Sequence, residues 1–345
     1  MQFHIDIDHP GSISGWLLPD NPSATPTLIL SSSGCPPLTM TANAHRPDLK
    51  GLGQHTTGLV GFLITEALVP GLSGLKDFEI REAESNLLVY RRCRGLKRKV
   101  FCLGNATDPM APLAARLEAH FTLYYDAVEQ QPYDTIFALL NNQSPIAASL
   151  IASGRPCLSR YEPILNTNGF TIIGLLRSPY EDLASLLMSA RRAVLEGRPV
   201  PHSAPLGSLT ADTSLDDAKA LEEGLRVWTE GRPEMANPLV RMFAAQADTP
   251  VERRHVPIAL NTLAGLDLVG TRSRMDEFEA GLAEILGIEL AGGLLPENAP
   301  DLAALAGRLA TMPTVRRLLA LDQALYEYVD GAIAAAASRV LDAPA

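Results

Sequence analysis

The sequence lacks long uncharged apolar stretches, secretion signals and the common catalytic signatures. No run approaches the ~18 uncharged apolar residues that a membrane-spanning helix needs, so we predict no membrane span. The opening segment MQFHIDIDHPGSISGW has no basic region followed by an apolar run. We therefore expect no signal peptide and a cytoplasmic location. A Walker GKS or GKT motif and a Ser-His-Asp signature are also missing, which disfavours P-loop nucleoside triphosphatases and serine hydrolases.

Cysteine is scarce, and its spacing excludes the usual metal and disulfide frameworks. The four cysteines, Cys35, Cys93, Cys102 and Cys157, form no CxxC pair and have no histidine pair nearby. This pattern is typical of reduced cytosolic thiols. We predict neither a zinc site nor any other metal site.

Positive charge is in deficit. The chain has 29 Lys and Arg against 39 Asp and Glu, a net charge of −10. Such a surface repels polyanions, so we do not expect nucleic acid as a partner. Hydrophobic residues make up 46% and charged residues 20% of the 345 residues, which is typical of a globular protein with a sizeable core. The length predicts two domains or one large one.

Residues 1–92 have the pattern of a small β-domain. Short apolar runs such as 27–30 and 78–81 are separated by clusters of Gly, Pro, Asn and Ser, with no long helical period. This spacing predicts an antiparallel, immunoglobulin-like β-sandwich. We place its end at residue 92.

The one basic patch of the sequence follows at once. Residues 91–99, RRCRGLKRK, hold six positive charges and no acid, and we call this segment the basic strip. One interpretation makes residues 93–99 a solvated linker between domains. The other makes the strip a docking site for anionic polysaccharide, lipid head groups or phosphate.

From residue 100 to about 340 the pattern changes to alternating strands and helices. The run 100–103 predicts a short buried strand, and 135–140 and 170–176 predict two more. A helix is predicted from about Pro109, with Leu117, Phe121 and Tyr124 on its apolar face. The alternation favours a parallel sheet with helices on its faces, an α/β fold.

The C-terminal third is predicted to be mostly helical. Residues 198–216 are rich in Pro, Ser, Thr and Gly and predict a surface loop or flap. Residues 217–340 predict helices, with 256–260 and 266–270 as possible additional strands.

One strand-to-helix junction has a pattern that suits phosphate binding. Arg177 directly follows the predicted strand 170–176, and Ser185 lies eight residues further, two turns into the predicted helix. An arginine and a hydroxyl in these places can hold one phosphate from two sides. Ser178 and Glu181 also fit a capping box, which explains much of the segment but neither Arg177 nor Ser185.

This junction is one of three segments that resemble the sulfotransferase family, whose fold is P-loop-like α/β. The resemblance covers about residues 99–330. The segments are GLLRSPYEDLASLL at 174–187, LVGTRSRMDEFEAGLAEILGI at 268–288 and LDQALYEYV at 321–329. The first follows the family's Arg-x-Pro-x-x-Arg-x-x-Ser pattern, except that Asp182 stands where the family has its second arginine.

The β-domain has a resemblance of its own. Gly15-Trp16, the segment Arg46-Pro47-Asp48-Leu49 and Gly61-Phe62 are similar to the marks of a small domain that accompanies bacterial glycosyltransferases and polysaccharide-modifying enzymes. This resemblance implies a role in polysaccharide or glycan biosynthesis.

The sulfotransferase resemblance implies a donor, 3′-phosphoadenosine-5′-phosphosulfate, and residues that bind it. It assigns Arg177 and Ser185 to the 3′-phosphate, with Arg274 also in the nucleotide site. It places the phosphosulfate loop at residues 104–110, where Thr107 offers a hydroxyl. This loop contains no Lys or Arg, and its Asp-Pro pair is typical of a helix start whose carboxylate repels a phosphate.

The resemblance leaves few candidates for catalysis itself. Arg155 falls where many family members have a catalytic histidine, and it can balance the charge of the sulfuryl group but cannot act as a base. Glu118 and His120 are the candidate bases, two to three turns into the helix predicted after the loop. The alternative is that both lie on the solvent side of that helix, since Leu117 and Phe121 mark its buried face.

Two functions from different classes follow from these patterns. The first is a sulfotransferase that moves a sulfuryl group to a sugar hydroxyl of a glycan or polysaccharide acceptor. The second is a catalytically inactive relative that serves as a binding or regulatory subunit of a glycan synthase. A third, a glycosyltransferase-like activity with another nucleotide, is suggested only by the β-domain.

Overall fold

The structure is a computed structural model, and it describes most of the chain. The described residues are 1–33, 35–92, 95–104, 117–197, 204–212, 214–232, 235–245, 250–289 and 300–341. Two compact units are present. Unit 1 comprises Met1–Phe101, Ala114–Ser153 and Ile164–Thr171, and unit 2 comprises Cys102–Leu113, Gly154–Pro163 and Ile172–Ala345. The domain division predicted at residues 92 and 100 stays a prediction.

Thirteen strands lie in the described residues. They are β1 Gln2–His9, β2 Ser12–Leu18, β3 Thr27–Ser32, β4 Cys35–Thr41, β5 Ala44–His45, β6 Leu59–Thr65, β7 Glu79–Glu82, β8 Leu88–Arg91, β9 Lys99–Leu103, β10 Leu123–Tyr125, β11 Leu150–Gly154, β12 Phe170–Leu176 and β13 Leu268–Thr271.

The same residues hold twelve α-helices and five short 3₁₀ turns. The helices are α1 Pro47–Gly51, α2 Tyr133–Leu140, α3 Glu162–Thr167, α4 Pro179–Leu195, α5 Ala204–Asp212, α6 Ala218–Thr229, α7 Pro238–Ala244, α8 His255–Ala264, α9 Met275–Leu286, α10 Pro300–Thr311, α11 Pro313–Leu318 and α12 Ala320–Leu341. The 3₁₀ turns are Leu72–Gly74, Val128–Gln130, Pro145–Ala148, Leu158–Arg160 and Arg272–Arg274.

The N-terminal strands form two antiparallel four-stranded sheets, as the sequence predicts. Their strand orders are β1-β2-β6-β5 and β4-β3-β7-β8. Buried residues alternate with half-exposed ones along β2, β3 and β7, which is the pattern of sheets with one face in a core. A hydrogen bond of 2.6 Å from the Tyr90 hydroxyl to the Asp8 carboxylate links the two sheets. The arrangement is β-sandwich-like.

Two glycine–aromatic pairs explain the short motifs of this domain. Gly15 lies opposite Phe62, and Trp16 lies opposite Gly61, in the β2–β6 ladder. A Cβ on Gly15 would come within 2.2 Å of the His4 carbonyl oxygen and 2.9 Å of the Phe62 ring. Gly15 therefore makes room for the Phe62 ring across from it, an arrangement that fixes strand register.

A five-stranded parallel sheet has the order β10-β11-β9-β12-β13. The register pairs Leu123 with Leu150 and Ile173 with Leu268. Strands β9, β11 and β12 are almost wholly buried, as strands covered on both faces are. Together with the two antiparallel sheets and the helices, this sheet confirms the predicted α/β fold with a helical C-terminal part.

The helices of unit 2 share a leucine-rich core. Helix α4 contributes Leu183 and Leu187, α6 contributes Leu221, and α10 contributes Leu305 and Leu309. On α4 and on α10 the two leucines are four residues apart, so one apolar face of each helix is buried. This core holds the helix that follows Arg177 in place.

The predicted strand at 135–140 is wrong: this segment lies in helix α2. Its buried residues Thr135, Ile136, Leu139 and Leu140 recur at helical spacing, whereas Phe137 is exposed. Pro132 at the N-cap position starts the helix, and the apolar, β-branched composition of the segment conceals this.

Three further predictions are corrected. Residues 256–260 lie in helix α8, not in a strand, while the strand predicted at 266–270 is confirmed as β13. Residues 204–212 of the predicted loop form helix α5. Tyr124 lies in strand β10, because parallel pairing with β11 overrides its helical spacing from Leu117.

Candidate functional site

Arg177 stands at the carboxyl end of β12, as the sequence predicts. The strand is an apolar run buried along nearly its whole length and ends at Leu176. Helix α4 begins two residues later, with Pro179 in its first turn, where a missing N–H costs nothing. Arg177 itself is 5% exposed. The carboxyl ends of parallel strands are where open α/β sheets place their ligands, so the position suits a binding residue.

Ser185 lies on α4, four residues after Glu181, and Glu181 is itself four residues after Arg177. Residues four apart on a helix are neighbours, so the Glu181 and Ser185 side chains lie on one face of α4. Glu181 Oε2 lies 3.8 Å from Arg177 Nε. The predicted capping box is wrong, because the Ser178 side chain makes no capping hydrogen bond. Ser185 is 7% exposed.

Arg155 makes an ion pair with Asp182. The distance from Arg155 Nη2 to Asp182 Oδ2 is 2.9 Å, and both side chains are largely buried. Asp182 is the residue that stands where the resemblance expects a second arginine. The Arg155 guanidinium, which the resemblance expects to balance the charge of a sulfuryl group, is thus paired with a carboxylate of the same unit.

Arg274 also faces carboxylates. Its guanidinium lies 3.6 Å from Glu277 and 3.6 Å from Asp330, which is on helix α12. Asp330 accepts hydrogen bonds of 2.6 Å from the Ser273 and Thr271 hydroxyls. These hydrogen bonds lower the pKa of the Asp330 carboxyl, and the Arg274 charge lowers it further.

Each candidate arginine of unit 2 therefore has an acidic neighbour. The pairs are Arg177–Glu181, Arg155–Asp182 and Arg274 with Glu277 and Asp330. Three guanidinium groups face four carboxylates, so this set of residues offers no excess positive charge. An incoming phosphate has to displace or face these carboxylates.

Asp322 is a buried acid that joins two helix starts. It is 1% exposed, and its carboxylate accepts the backbone N–H groups of Leu239 and Val240 at 2.9 and 2.7 Å. In return the Asn237 side chain accepts the N–H of Leu321 at 2.8 Å. The first turns of α7 and α12 thus satisfy each other's unpaired backbone donors.

The charge state of Asp322 depends on its neighbours. Burial raises its pKa to about 7, and the two backbone hydrogen bonds and the Arg155 charge oppose the rise. The negative charge of Asp182 adds to it. Burial therefore brings the pKa of Asp322 close to neutral pH.

The two candidate bases belong to unit 1. Glu118 makes an ion pair with Arg91. Arg91 also pairs with Glu79, with 2.7 Å between Arg91 Nε and Glu79 Oε1. The His120 carbonyl accepts the Leu96 N–H at 2.6 Å. The Glu118 carboxylate is thus paired with an arginine. Among the described residues, no contact suited to proton transfer involves the His120 side chain.

The predicted phosphosulfate loop falls mostly outside the described residues. Thr107 lies there, so its assignment stays a prediction. Gly104, the first residue of the loop, donates its N–H to the Gly154 carbonyl at 3.2 Å.

Sequence reasoning missed two acids that the fold brings beside polar groups. Asp126 follows β10 and accepts hydrogen bonds from the Ser153 hydroxyl at 2.9 Å and from the Ala127 N–H at 2.7 Å. The run Leu-Tyr-Tyr before Asp126 is a strand signal that the helical spacing of its aromatics obscured. No sequence pattern near Asp330 predicts its contact with Arg274, because the two residues are distant in sequence.

No metal centre is evident in the part of the chain that the structure describes: it holds no group of three or more His, Cys, Asp or Glu placed to bind an ion. Within the same residues, no helix is long and apolar enough to cross a membrane. Cys35, Cys102 and Cys157 are free thiols, and Cys93 lies outside the described residues.

Comparison with known proteins does not assign the chain to a family. No protein-family model matches the chain, and no curated protein matches it significantly. The sulfotransferase resemblance consequently rests on the residues quoted above and stays a prediction.

Proposed function

We propose that this chain is a sulfotransferase-like protein that has lost sulfuryl transfer and serves as a binding subunit in glycan or polysaccharide biosynthesis. The observation that supports the proposal is the pairing of every candidate-site arginine of unit 2 with a carboxylate. A sulfotransferase needs these cations for its donor.

The chemistry of the donor explains why the pairing matters. In sulfuryl transfer, negative charge grows on the oxygen that bridges sulfur and the leaving phosphate, so a cation beside it stabilises the transition state. An arginine already paired with an acid offers little of this stabilisation, and the acid repels the donor's phosphates. Asp182 acts in two ways, because it pairs with Arg155 and also occupies the place of a binding arginine.

The assignment to glycan biosynthesis is supported by the β-domain. The Gly15-Trp16 and Gly61-Phe62 marks form one paired unit in the β2–β6 ladder. Arg46, of the third mark, lies against the same unit, since a Cβ on Gly61 would meet its Cγ at 3.2 Å. The three motifs that resemble a glycosyltransferase-associated domain are thus adjacent in the fold.

The active enzyme is the second candidate, favoured by one observation. Arg177 and Ser185 are both buried in unit 2, at the strand end and on the helix where the resemblance places a 3′-phosphate site. In that function they hold the nucleotide, Arg155 balances charge, and Glu118 or His120 is the base.

Neutralising the acids tests the proposal. Calorimetric titration with 3′-phosphoadenosine-5′-phosphate should show no binding to the wild type, and binding should appear in a Glu181→Gln, Asp182→Asn double variant. Glu223→Gln is the matched control, because Glu223 pairs with Arg226 on the exposed face of α6. Binding to the wild type that Arg177→Ala abolishes would instead support the enzyme.

The partner role has its own test. Cross-linking of the tagged full chain in its host, followed by mass spectrometry, should identify an enzyme of glycan or polysaccharide assembly. Cross-links only to unrelated proteins would contradict the assignment.

A further inference from the structure

Strand β4 lies at the open edge of the sheet β4-β3-β7-β8. Among the strands that the structure describes, it pairs with β3 alone. Every residue from Cys35 to Thr41 except Met40 is exposed. An open edge presents backbone N–H and C=O groups with which another strand can pair.

The charged side chains that protect many open edges are missing from this segment. Native edge strands commonly carry lysine or another charge, which keeps a second strand away. Residues 21–45 contain no Asp, Glu, Lys or Arg, although 20% of the chain is charged. Two copies of a chain with a net charge of −10 repel each other, so an uncharged edge is a favourable place for them to meet.

Backbone geometry identifies which groups of β4 face the open edge. The register with β3 is regular over the last four residues of the strand. The Ala42 N–H donates to the Pro26 carbonyl at 2.9 Å, so the even-numbered residues turn their backbone groups toward β3. The backbone groups of Thr39 and Thr41 therefore face outward. The Pro37 carbonyl does so too, because it is trans to the inward-facing N–H of the next residue.

Two of these outward positions cannot pair with another strand. Pro37 has no N–H, and the Thr41 carbonyl already accepts the Asn43 N–H at 3.0 Å. The donors that the described residues leave open are the N–H groups of Thr39 and Thr41. The acceptors left open are the carbonyls of Pro37 and Thr39.

An antiparallel pairing of two copies, centred on Thr39, uses all of these groups. The Thr39 N–H donates to the carbonyl of the partner's Thr39, and the partner donates in return. The Thr41 N–H donates to the carbonyl of the partner's Pro37, again reciprocally. The missing N–H of Pro37 and the occupied carbonyl of Thr41 then lie opposite each other, so neither leaves a group unpaired. A pairing centred on Thr41 would instead direct its N–H to the occupied carbonyl.

The side chains of β4 match in the same register. Leu38 lies opposite the partner's Met40, on the face of the sheet that is buried in β3. Leu38 is 38% exposed, and it borders an apolar cavity of about 160 Å³ that Leu68 and Leu75 also line. The partner's Met40 covers this patch, and the two-fold axis repeats the pair. The pairing therefore buries apolar surface as well as satisfying backbone groups.

We propose that this chain forms a two-fold symmetric dimer through β4, with the two strands antiparallel and Thr39 opposite the partner's Thr39. The interface is isologous, so it closes at two copies. It is small beside the ~1,200–2,000 Å² of a standard interface, and we expect a dissociation constant in the micromolar range. The inference does not depend on the function proposed above, because it uses residues of unit 1 only.

Sedimentation equilibrium of the full chain tests the dimer. The average mass of the wild type should rise with concentration from that of one chain toward that of two. Leu38→Lys removes both apolar pairs and places two like charges at the interface, so it should weaken dimerisation about tenfold or more. Leu63→Lys is the matched control, because Leu63 is an exposed leucine on β6, and it should leave the dissociation constant unchanged.

Disulfide cross-linking tests the register. In a Cys35→Ser, Thr39→Cys variant, the paired Cα atoms should lie about 5.5 Å apart, within reach of a disulfide. Mild oxidation should therefore give a covalent dimer. Thr41→Cys in the same Cys35→Ser background is the control, because its two copies would lie roughly 13 Å apart along the strands.

Three results would overturn the proposal. The first is a wild-type chain that stays monomeric throughout the micromolar range. The second is a dimer that Leu38→Lys weakens no more than Leu63→Lys does. The third is a Thr41→Cys variant that cross-links as readily as Thr39→Cys. Leu38 and Thr39 are exposed, so neither substitution removes a core contact, and unchanged urea midpoints check that each variant folds.

Discussion

Replacing Asp322 should destabilise unit 2 far more than replacing another acid of the same helix. In an Asp322→Ala variant, the N–H groups of Leu239 and Val240 lose their acceptors. A buried donor left without an acceptor costs about 1–3 kcal/mol, and a lost helix cap about 0.5–2 kcal/mol. The two costs describe the same lost contacts, so we expect the free energy of unfolding to fall by roughly 1–3 kcal/mol.

The two tryptophans allow the effect to be assigned to one unit. Trp228 is buried in the core of unit 2, and Trp16 is in unit 1. Urea unfolding followed by fluorescence in a Trp16→Phe background therefore reports unit 2 alone. The control is Glu327→Ala, at an exposed position of α12, which should change the free energy of unfolding by no more than about 0.5 kcal/mol. Equal effects of the two substitutions would refute the capping role of Asp322.

Three other predictions follow from the structure. Because burial raises the pKa of Asp322 to about 7 from its ordinary 3.8, the folded chain holds a proton that the unfolded chain releases, and the free energy of unfolding should fall as pH rises from about 4 to about 7. An unchanged pH slope in Asp322→Asn would contradict this. Gly15→Ala should lower the free energy of unfolding by about 1–3 kcal/mol in urea melts, because the added Cβ would meet the His4 carbonyl. Gly51→Ala, whose Cβ meets nothing within 4 Å, is the control, and equal melts would oppose the reasoning. Tyr125→Phe should lower the free energy of unfolding by about 1 kcal/mol, since it removes a buried 2.9 Å hydrogen bond to a carbonyl of β8, and an unchanged urea midpoint would count against it.

The positions of Arg177 and Ser185 were predictable because they depend on local structure. An apolar run ending at Leu176 predicts the strand, and Pro179 predicts the start of the helix that follows. Nothing beyond this junction is needed to place the two residues. The same local reasoning failed for 135–140, where composition favoured a strand and spacing favoured a helix.

The partners of the site arginines were harder to predict, because they depend on tertiary structure. Asp182 is 27 residues from Arg155 in sequence, and Asp330 is 56 residues from Arg274. No local pattern links residues so far apart. Glu181 was visible, but its fit to a capping box concealed its proximity to Arg177. Composition alone could not show that each site arginine has a carboxylate within 4.0 Å.

One equilibrium measurement decides whether unit 2 binds the sulfate donor. Purified wild-type chain is titrated calorimetrically with 3′-phosphoadenosine-5′-phosphate at low salt, where electrostatic binding is strongest. The paired arginines predict no saturable heat at millimolar nucleotide. Saturable binding in the micromolar range, lost in Arg177→Ala, would contradict the proposed loss of the donor site and support the sulfotransferase function.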